Sequence, residues 1–166
     1  WRCRNPLIYK AVSSWFVRHR GLAIGIALFN RFYQPDLDLD SMEVSQTLSL
    51  SRSRDALITM RWIALLHGHV NMSLAATGGV HAGKDALKML LCGADVTHLC
   101  SALLTNGPGQ IERLHDGVLA WMQQEGYESL RQLKGSLSQK NSPDPVAFER
   151  GNYLQMLSRY EPPKSV

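Results

Sequence analysis

The chain has 166 residues, of which 45% are hydrophobic and 19% are charged, and its net charge is +4. This length suffices for one domain with a hydrophobic core but not for a complete eight-stranded α/β barrel, which takes ~250 residues. No apolar run reaches the ~20 residues of a membrane-spanning helix, and no nucleic-acid motif accompanies the basic residues, so neither a membrane nor a nucleic acid is expected as a partner. Three cysteines without a C-x-x-C pair indicate free thiols, and we expect a cytoplasmic protein.

The first part of the chain is predicted to form a helix, a strand and a long loop. A basic amphipathic pattern over residues 1–22 predicts a helix that covers a sheet or lies on a membrane surface, and we favour the sheet. The apolar run Leu22–Phe29 predicts a buried parallel strand, with Asn30 at its end as a site residue or a loop cap. The acidic, then serine-rich stretch Asp36–Arg54 predicts a functional loop with a short edge strand. Its aspartates lack the glycine turn and closing glutamate of a calcium loop, so no metal is expected.

A strongly apolar helix is predicted over Asp55–His67, and Gly68 ends it. His67 and His69 flank that glycine, and no third metal ligand lies near them in the sequence. We interpret both as surface histidines at a helix end, where positive charge is favoured.

Two consecutive strand-to-helix units are predicted within Leu74–Asn106. The strand Leu74–Ala76 precedes a small-residue loop and the helix Lys84–Cys92, and the strand Val96–Leu99 precedes a second small-residue pair. Those small residues are Thr77, Gly78 and Gly79 after the first strand, and Cys100 and Ser101 after the second. Backbone N–H groups can approach a phosphate closely at such positions. In a parallel α/β protein, a nucleotide or flavin phosphate usually lies there.

Helices are predicted for the rest of the chain. One runs from Pro108 to Glu125, a shorter one covers Ser129–Lys134, and a last one begins after Asp144 and reaches about Tyr160. Alternation of strands and helices predicts an α/β fold with a parallel sheet. Three strands are too few to close a barrel, so the pattern is typical of part of one.

Four segments together resemble the C-terminal half of bacterial dihydroorotate dehydrogenase-like proteins, which are related to the class 1, FMN-dependent dihydroorotate dehydrogenases. They are FNRFYQPDLDLD, RWIALL, AATGGVHAGKDALKMLLCGADVTHLCSALLTNGP and YESLRQLKGSLSQKNSPDPVAFERGNYLQML. The resemblance implies the last three β/α units of an FMN-binding (β/α)8 TIM barrel, with a C-terminal helical extension. Its expected divisions are residues 1–24 as a non-matching N-terminal helix, 25–107 as barrel units, 108–160 as C-terminal helices and 161–166 as a tail.

Carried over by position, the resemblance also implies site residues. The flavin phosphate would lie on two loops, formed by Thr77, Gly78, Gly79 and Val80 and by Cys100 and Ser101. Asn30 would hydrogen-bond a pyrimidine-like substrate. Classical members have Gly-Thr in place of Cys100-Ser101, and a glycine-rich turn where this chain has the serine-rich Ser49–Ser53.

The activity that the resemblance implies is a two-electron oxidation of dihydroorotate or a similar small molecule. In the family, a cysteine or serine base removes a proton, and hydride passes to the flavin. No catalytic residue can be placed here, because the base and the flavin-contacting lysine lie upstream of the matched region. Residues 1–20 do not resemble the family and the chain begins without Met, so a truncated or frame-shifted reading frame is expected.

Two alternatives stay open beside this oxidoreductase. One is a catalytically inactive half-barrel remnant or interaction module, for which open strand edges predict self-association. The other is a different phosphate-binding barrel enzyme, an isomerase or lyase, which the C-terminal QLKGSLSQ segment disfavours. No cysteine-rich iron–sulfur pattern is present, so an iron–sulfur partner would be a separate subunit.

Overall fold

The computed structural model describes residues 24–29, 35–45 and 49–150. Their strands form two sheets, a parallel one of order β1-β4-β5 and an antiparallel hairpin of β2 and β3. The strands are β1 (Gly25–Leu28), β2 (Asp36–Asp38), β3 (Glu43–Ser45), β4 (Ser73–Thr77) and β5 (Val96–His98). The prediction of an α/β fold with a parallel sheet is therefore confirmed. The helix predicted over 1–22, Asn30 and the last helix beyond Arg150 lie outside the described residues.

Helices connect and follow the parallel strands. They are α1 (Ala56–Leu66), α2 (Gly83–Cys92), α3 (Ser101–Asn106), α4 (Gln110–Gln124), α5 (Leu130–Leu133) and α6 (Pro145–Arg150). Single turns of 3-10 helix cover Ser53–Asp55, before α1, and Gln139–Asn141. No helix within the described ranges has the length and apolarity needed to cross a membrane.

Local signals end or begin several of these helices where the sequence predicts it. Gly93 adopts φ +115° after α2, and its N–H donates to the carbonyl of Met89, as in a left-handed cap. Gly126 has φ +73° after α4. Asp144 Oδ1 accepts a hydrogen bond of 2.9 Å from the N–H of Ala147 and so caps α6.

The acidic segment forms a hairpin of its own and not an edge strand of the main sheet. Leu37 of β2 pairs with Val44 of β3, and both side chains are exposed. In the turn, the Asp38 carboxylate accepts hydrogen bonds from the N–H groups of Asp40 and Ser41. These two hydrogen bonds lower the pKa of Asp38, and the one from Ser41 has the larger effect. The Asp38 side chain thus serves turn formation.

The parallel sheet has one face covered by helices and one exposed to solvent. Leu28, Leu74 and Ala76 are buried, and they pack with Ile63 of α1 and Met89 of α2 in one hydrophobic core. Residues of the opposite face are exposed or half-buried, among them Ala27, Ala75, Val96 and His98. Parallel sheets normally have both faces covered, so this second face is an unpartnered surface over the described residues.

The sequence predicts that His67 is a surface histidine at a helix end, where positive charge is favoured. This prediction is wrong. His67 follows α1 and is half-buried, with its ring packed against two glycines. A Cβ added to Gly93 would lie 2.6 Å from His67 Cβ, and one added to Gly135 would lie 2.7 Å from His67 Nε2. Burial, reinforced by Lys134 and Lys140, lowers the pKa of His67, although Asp95 opposes the shift. His69, by contrast, is exposed as predicted.

Asp95 and Lys134 form an ion pair beside His67. Lys134 Nζ lies 2.6 Å from Asp95 Oδ1, while Asp95 Oδ2 accepts a hydrogen bond of 2.8 Å from the N–H of Leu74. Burial opposes ionisation of this carboxyl, but the Lys134 and Leu74 contacts outweigh it, and the pKa of Asp95 is lowered. Asp95 therefore links Lys134, which follows α5, to the start of β4.

The different burial of two isoleucines of α1 predicts that their replacement by alanine changes the free energy of unfolding by different amounts. Ile63 is 0% exposed and Ile58 is 62% exposed. We expect Ile63→Ala to lower the free energy of unfolding by about 2–5 kcal/mol, because it leaves a cavity. Ile58→Ala, the matched control, should change it by less than ~0.5 kcal/mol. Urea denaturation followed by circular dichroism measures both, and equal losses would contradict this core.

The lowered pKa of His67 predicts a pH dependence of stability. Its folded pKa lies below the unfolded value of about 6.5, so the unfolded chain takes up the proton more readily. The contribution of neutral His67 to the stability of the fold is therefore present above about pH 6.5, the unfolded pKa, and is lost as the pH falls below that value. His67→Gln should therefore lose less stability than the wild type between about pH 7.5 and about pH 5. His115→Gln, at an exposed histidine of α4, should keep the wild-type slope in urea denaturation.

Candidate functional site

The candidate site lies at the carboxyl ends of β4 and β5. Thr77, the last residue of β4, pairs in register with His98, the last residue of β5. Because the two strands are parallel, the loops that leave them begin at the same edge of the sheet. The first loop contains Gly78 and Gly79, and the second leads to Ser101 at the start of α3. The pairing brings together the two loops that the sequence predicts as a phosphate site.

Ser51, from the serine-rich segment before α1, joins these two loops. Its Oγ accepts a hydrogen bond of 3.3 Å from the N–H of Gly79, and its own N–H donates to Ser101 Oγ at 3.1 Å. Ser51 Oγ also lies 3.3 Å from His81 Nε2. We call Ser51, Gly79, His81 and Ser101 the serine–histidine cluster. Sequence reasoning missed Ser51 and His81 as site residues.

The two glycines of the first loop adopt backbone conformations that other residues rarely adopt. Gly78 has φ +87° and Gly79 has φ +75°. A Cβ on Gly79 would lie 2.8 Å from Cα of Ala56 and closer still to its nitrogen, so the loop packs directly against the start of α1. A Cβ on Gly78 would meet nothing within 4 Å, so space is open beside that residue. The loop therefore combines close packing on one side with room for a ligand on the other.

Asp85 holds the first loop in place. It lies in the first turn of α2 and is 7% exposed. Its Oδ2 accepts hydrogen bonds from the N–H of His81 at 3.1 Å, the N–H of Ala82 at 3.0 Å and Ser53 Oγ at 2.8 Å. The carboxylate thereby caps α2 and connects it to the segment before α1. A carboxylate in the first turn of the predicted helix Lys84–Cys92 is the signal that could have revealed it.

The remaining predicted cofactor-binding residues have different surroundings. The carbonyl of Thr77 accepts a hydrogen bond of 3.1 Å from Thr59 Oγ1. Val80 is 3% exposed and belongs to the core, so its backbone is the part that a ligand could contact. Cys100 is an exposed free thiol. Asn30, the predicted substrate ligand, lies outside the described residues.

Cys92 is not suited to a role as nucleophile or base. It is buried at the end of α2, and burial raises the pKa of its thiol to about 11. A thiol of that kind is protonated at neutral pH and acts as a small apolar side chain. Cys92 is therefore a structural residue of the core.

The chemistry of the cluster suits an oxyanion. A backbone N–H, two hydroxyls and an imidazole converge there, and all of them can donate hydrogen bonds to oxygen. The described ranges contain no group of three or more His, Cys, Asp and Glu side chains arranged to hold a metal. A phosphate group, with several acceptor oxygens, fits this set of donors.

Comparison with known proteins points to one family. Residues 42–122 match the family model described as dihydroorotate dehydrogenase. The chain is 35% identical over 71 residues to a Streptococcus pyogenes protein named "Putative dihydroorotate dehydrogenase A (fumarate)", a match that covers 43% of this chain and 23% of the relative. It is 33% identical over 72 residues to dihydroorotate dehydrogenase (fumarate) of Kluyveromyces lactis, covering 43% and 22%. The matched part therefore spans less than a quarter of these relatives.

Solved structures show the same fold. Ligand-free DHODH of Eimeria tenella superposes with a TM-score of 0.56 at 21% identity, over 72% of this chain and 33% of that one. DHODH of the same organism in complex with ferulenol gives a TM-score of 0.55 at 21% identity, over 68% and 30%. The family-model match and the relatives together confirm the predicted resemblance to dihydroorotate dehydrogenase-like proteins.

The packing of Gly79 against α1 predicts a position-specific effect of an added methyl group. Gly79→Ala should lower the free energy of unfolding by at least ~2 kcal/mol, because the backbone strain is joined by a clash with Ala56. Gly126→Ala provides the control, since Gly126 has φ +73° but open space around it. Gly126→Ala should lower the free energy of unfolding by only the ~1–2 kcal/mol that the backbone strain costs. Equal losses in urea denaturation would show that Gly79 does not pack as described.

Proposed function

We propose that this chain, a dihydroorotate dehydrogenase-like protein, carries the flavin-phosphate-binding part of an FMN-dependent oxidoreductase. The observation that supports this most directly is the link between Gly79 and Ser101 through Ser51, at the carboxyl ends of two adjacent parallel strands. In the barrels of this fold class, phosphate groups are frequently bound by the loops after the last strands.

The fit of FMN follows from the residues present. The N–H of Gly79 and the hydroxyls of Ser51 and Ser101 would hold the phosphate, and the open side of Gly78 would leave room for it. Thr77, Val80 and Cys100 complete the proposed cofactor-binding set through the loops to which they belong. Bound FMN would accept hydride from a dihydroorotate-like substrate.

The protein's own contribution in this proposal is positioning. Asp85 fixes the loop between β4 and α2, and the contact of Gly79 with Ala56 fixes that loop against α1. Ser51 then sets the separation of the two loops. A site held in this way would bind phosphate without rearranging its backbone, which lowers the entropic cost of binding. Asn30 stays the proposed substrate ligand.

The architecture proposed for the whole is the last three β/α units of a TIM barrel, residues 25–107, followed by helices over 108–160. In a closed barrel, the exposed face formed by Ala27, Ala75 and Val96 would line the interior. The same exposed face favours the second candidate function, a catalytically inactive half-barrel or interaction module. Self-association through the open edge belongs to that alternative.

Flavin binding by the purified chain distinguishes the proposed cofactor-binding function from the inactive half-barrel. If the proposal is right, the chain binds FMN, which visible absorbance and flavin fluorescence detect. Each of Ser51→Ala and Ser101→Ala should weaken FMN binding by about tenfold or more, because a hydrogen bond to a charged group contributes ~1.5–3 kcal/mol. Riboflavin, which lacks the phosphate, should bind all of these proteins equally.

The matched control is Ser41→Ala, in the exposed turn of the hairpin, which should bind FMN as the wild type does. A folded chain that binds no FMN would support the inactive module. FMN bound without turnover of dihydroorotate would support a cofactor-binding part that lacks the catalytic base.

A further inference from the structure

The backbone of His81 is fixed on both sides, and its side chain points at the cluster. Its N–H donates to Asp85 Oδ2 at 3.1 Å, and its carbonyl accepts a hydrogen bond of 2.7 Å from Gln110 Nε2 of α4. The imidazole Nε2 lies 3.3 Å from Ser51 Oγ. The backbone bonds would persist if the side chain were replaced, so the role of the ring can be tested separately from that of the loop.

The position of Ser51 Oγ shows that one oxygen atom can be reached by two donors at once. It lies 3.3 Å from the N–H nitrogen of Gly79 and 3.3 Å from His81 Nε2. A phosphate oxygen that accepts a hydrogen bond from the Ser51 hydroxyl would therefore lie close to the imidazole as well. Ser51 thus connects His81 to the two loops of the cluster.

His81 is the member of the serine–histidine cluster that can carry a positive charge. The other donors, Gly79, Ser51 and Ser101, are neutral, whereas a phosphate monoester carries a charge of about −1.5 to −2 at neutral pH. A charge-assisted hydrogen bond is roughly twice as strong as a neutral one. An imidazolium at this position would thus contribute affinity that depends on the phosphate group.

We propose that His81, as an imidazolium, binds the phosphate group of the ligand and sets the preference of this site for phosphorylated flavin over riboflavin. The proposal rests on the proposed function, because it concerns the same site. His81 acts here as a specificity-determining residue. It donates a hydrogen bond from Nε2, and its proton stays on the ring.

The groups that meet at His81 come from several parts of the chain. Asp85, on α2, is charged and accepts a hydrogen bond from the backbone N–H of His81. Ser51, Ser101 and Gln110, from the three other elements that meet there, are neutral. Arg52 and Lys84, neighbours of Ser51 and Asp85 in the sequence, are exposed to solvent, where their charges are screened.

The test compares the wild type with His81→Asn, which keeps a hydrogen-bond donor but cannot be protonated. At about pH 6, the variant should bind FMN about tenfold more weakly than the wild type and riboflavin equally well. His115→Asn, at an exposed histidine of α4, is the control and should behave as the wild type.

A second measurement uses inorganic phosphate as the probe and NMR of the histidine ring protons as the readout. Phosphate should raise the titration midpoint of the ring signal that is missing in His81→Asn and leave that of His115 unchanged. If phosphate causes this shift but the chain binds neither FMN nor riboflavin, the proposed function is contradicted, while His81 is supported as a phosphate ligand. FMN binding that is equal in the wild type and His81→Asn at every pH would overturn the role of His81 and leave the proposed function intact. If His81→Asn is unfolded by circular dichroism, His81→Gln replaces it in both measurements.

Discussion

The parallel pairing of β4 with β5 is the constraint on which the candidate site depends. Ala75, Ala76 and Thr77 lie opposite Val96, Thr97 and His98, and backbone hydrogen bonds hold this register. A parallel pair requires a crossover, and α2 provides it by packing on the buried face of the sheet. Both loops must then begin at the same sheet edge. The convergence of donors from Gly79 and Ser101 is a consequence of that topology.

A buried carboxylate supplies the second level of organisation. Asp85 is 7% exposed, and burying a charge is costly unless hydrogen bonds compensate it. Three donors do so, from His81, Ala82 and Ser53, and these donors belong to two separate segments of the chain. The interaction that satisfies Asp85 is therefore the one that holds the serine-rich segment beside the glycine loop.

The two ends of the parallel sheet differ in their chemistry. At the carboxyl end, the cluster offers hydrogen-bond donors next to the open space beside Gly78, as a binding site requires. At the amino end, the pair of Asp95 and Lys134 and the packed ring of His67 join secondary-structure elements to one another. In (β/α)8 barrels, function likewise lies at the carboxyl ends of the strands and stability at the opposite end.

The sequence by itself determined the order of the parallel strands and of the helices that follow them, the glycines that end α2 and α4, the cap of α6 and the small residues after β4 and β5. Those signals are local, because periodicity, capping and turn chemistry act over a few neighbouring residues. Only the tertiary structure decided the roles of Ser51, His81 and His67. Ser51 is 28 residues from Gly79, 30 from His81 and 50 from Ser101, and no local pattern encodes such contacts. They exist because strand register and helix packing bring distant segments to one place, which also turned a histidine predicted at the surface into one packed against Gly93 and Gly135.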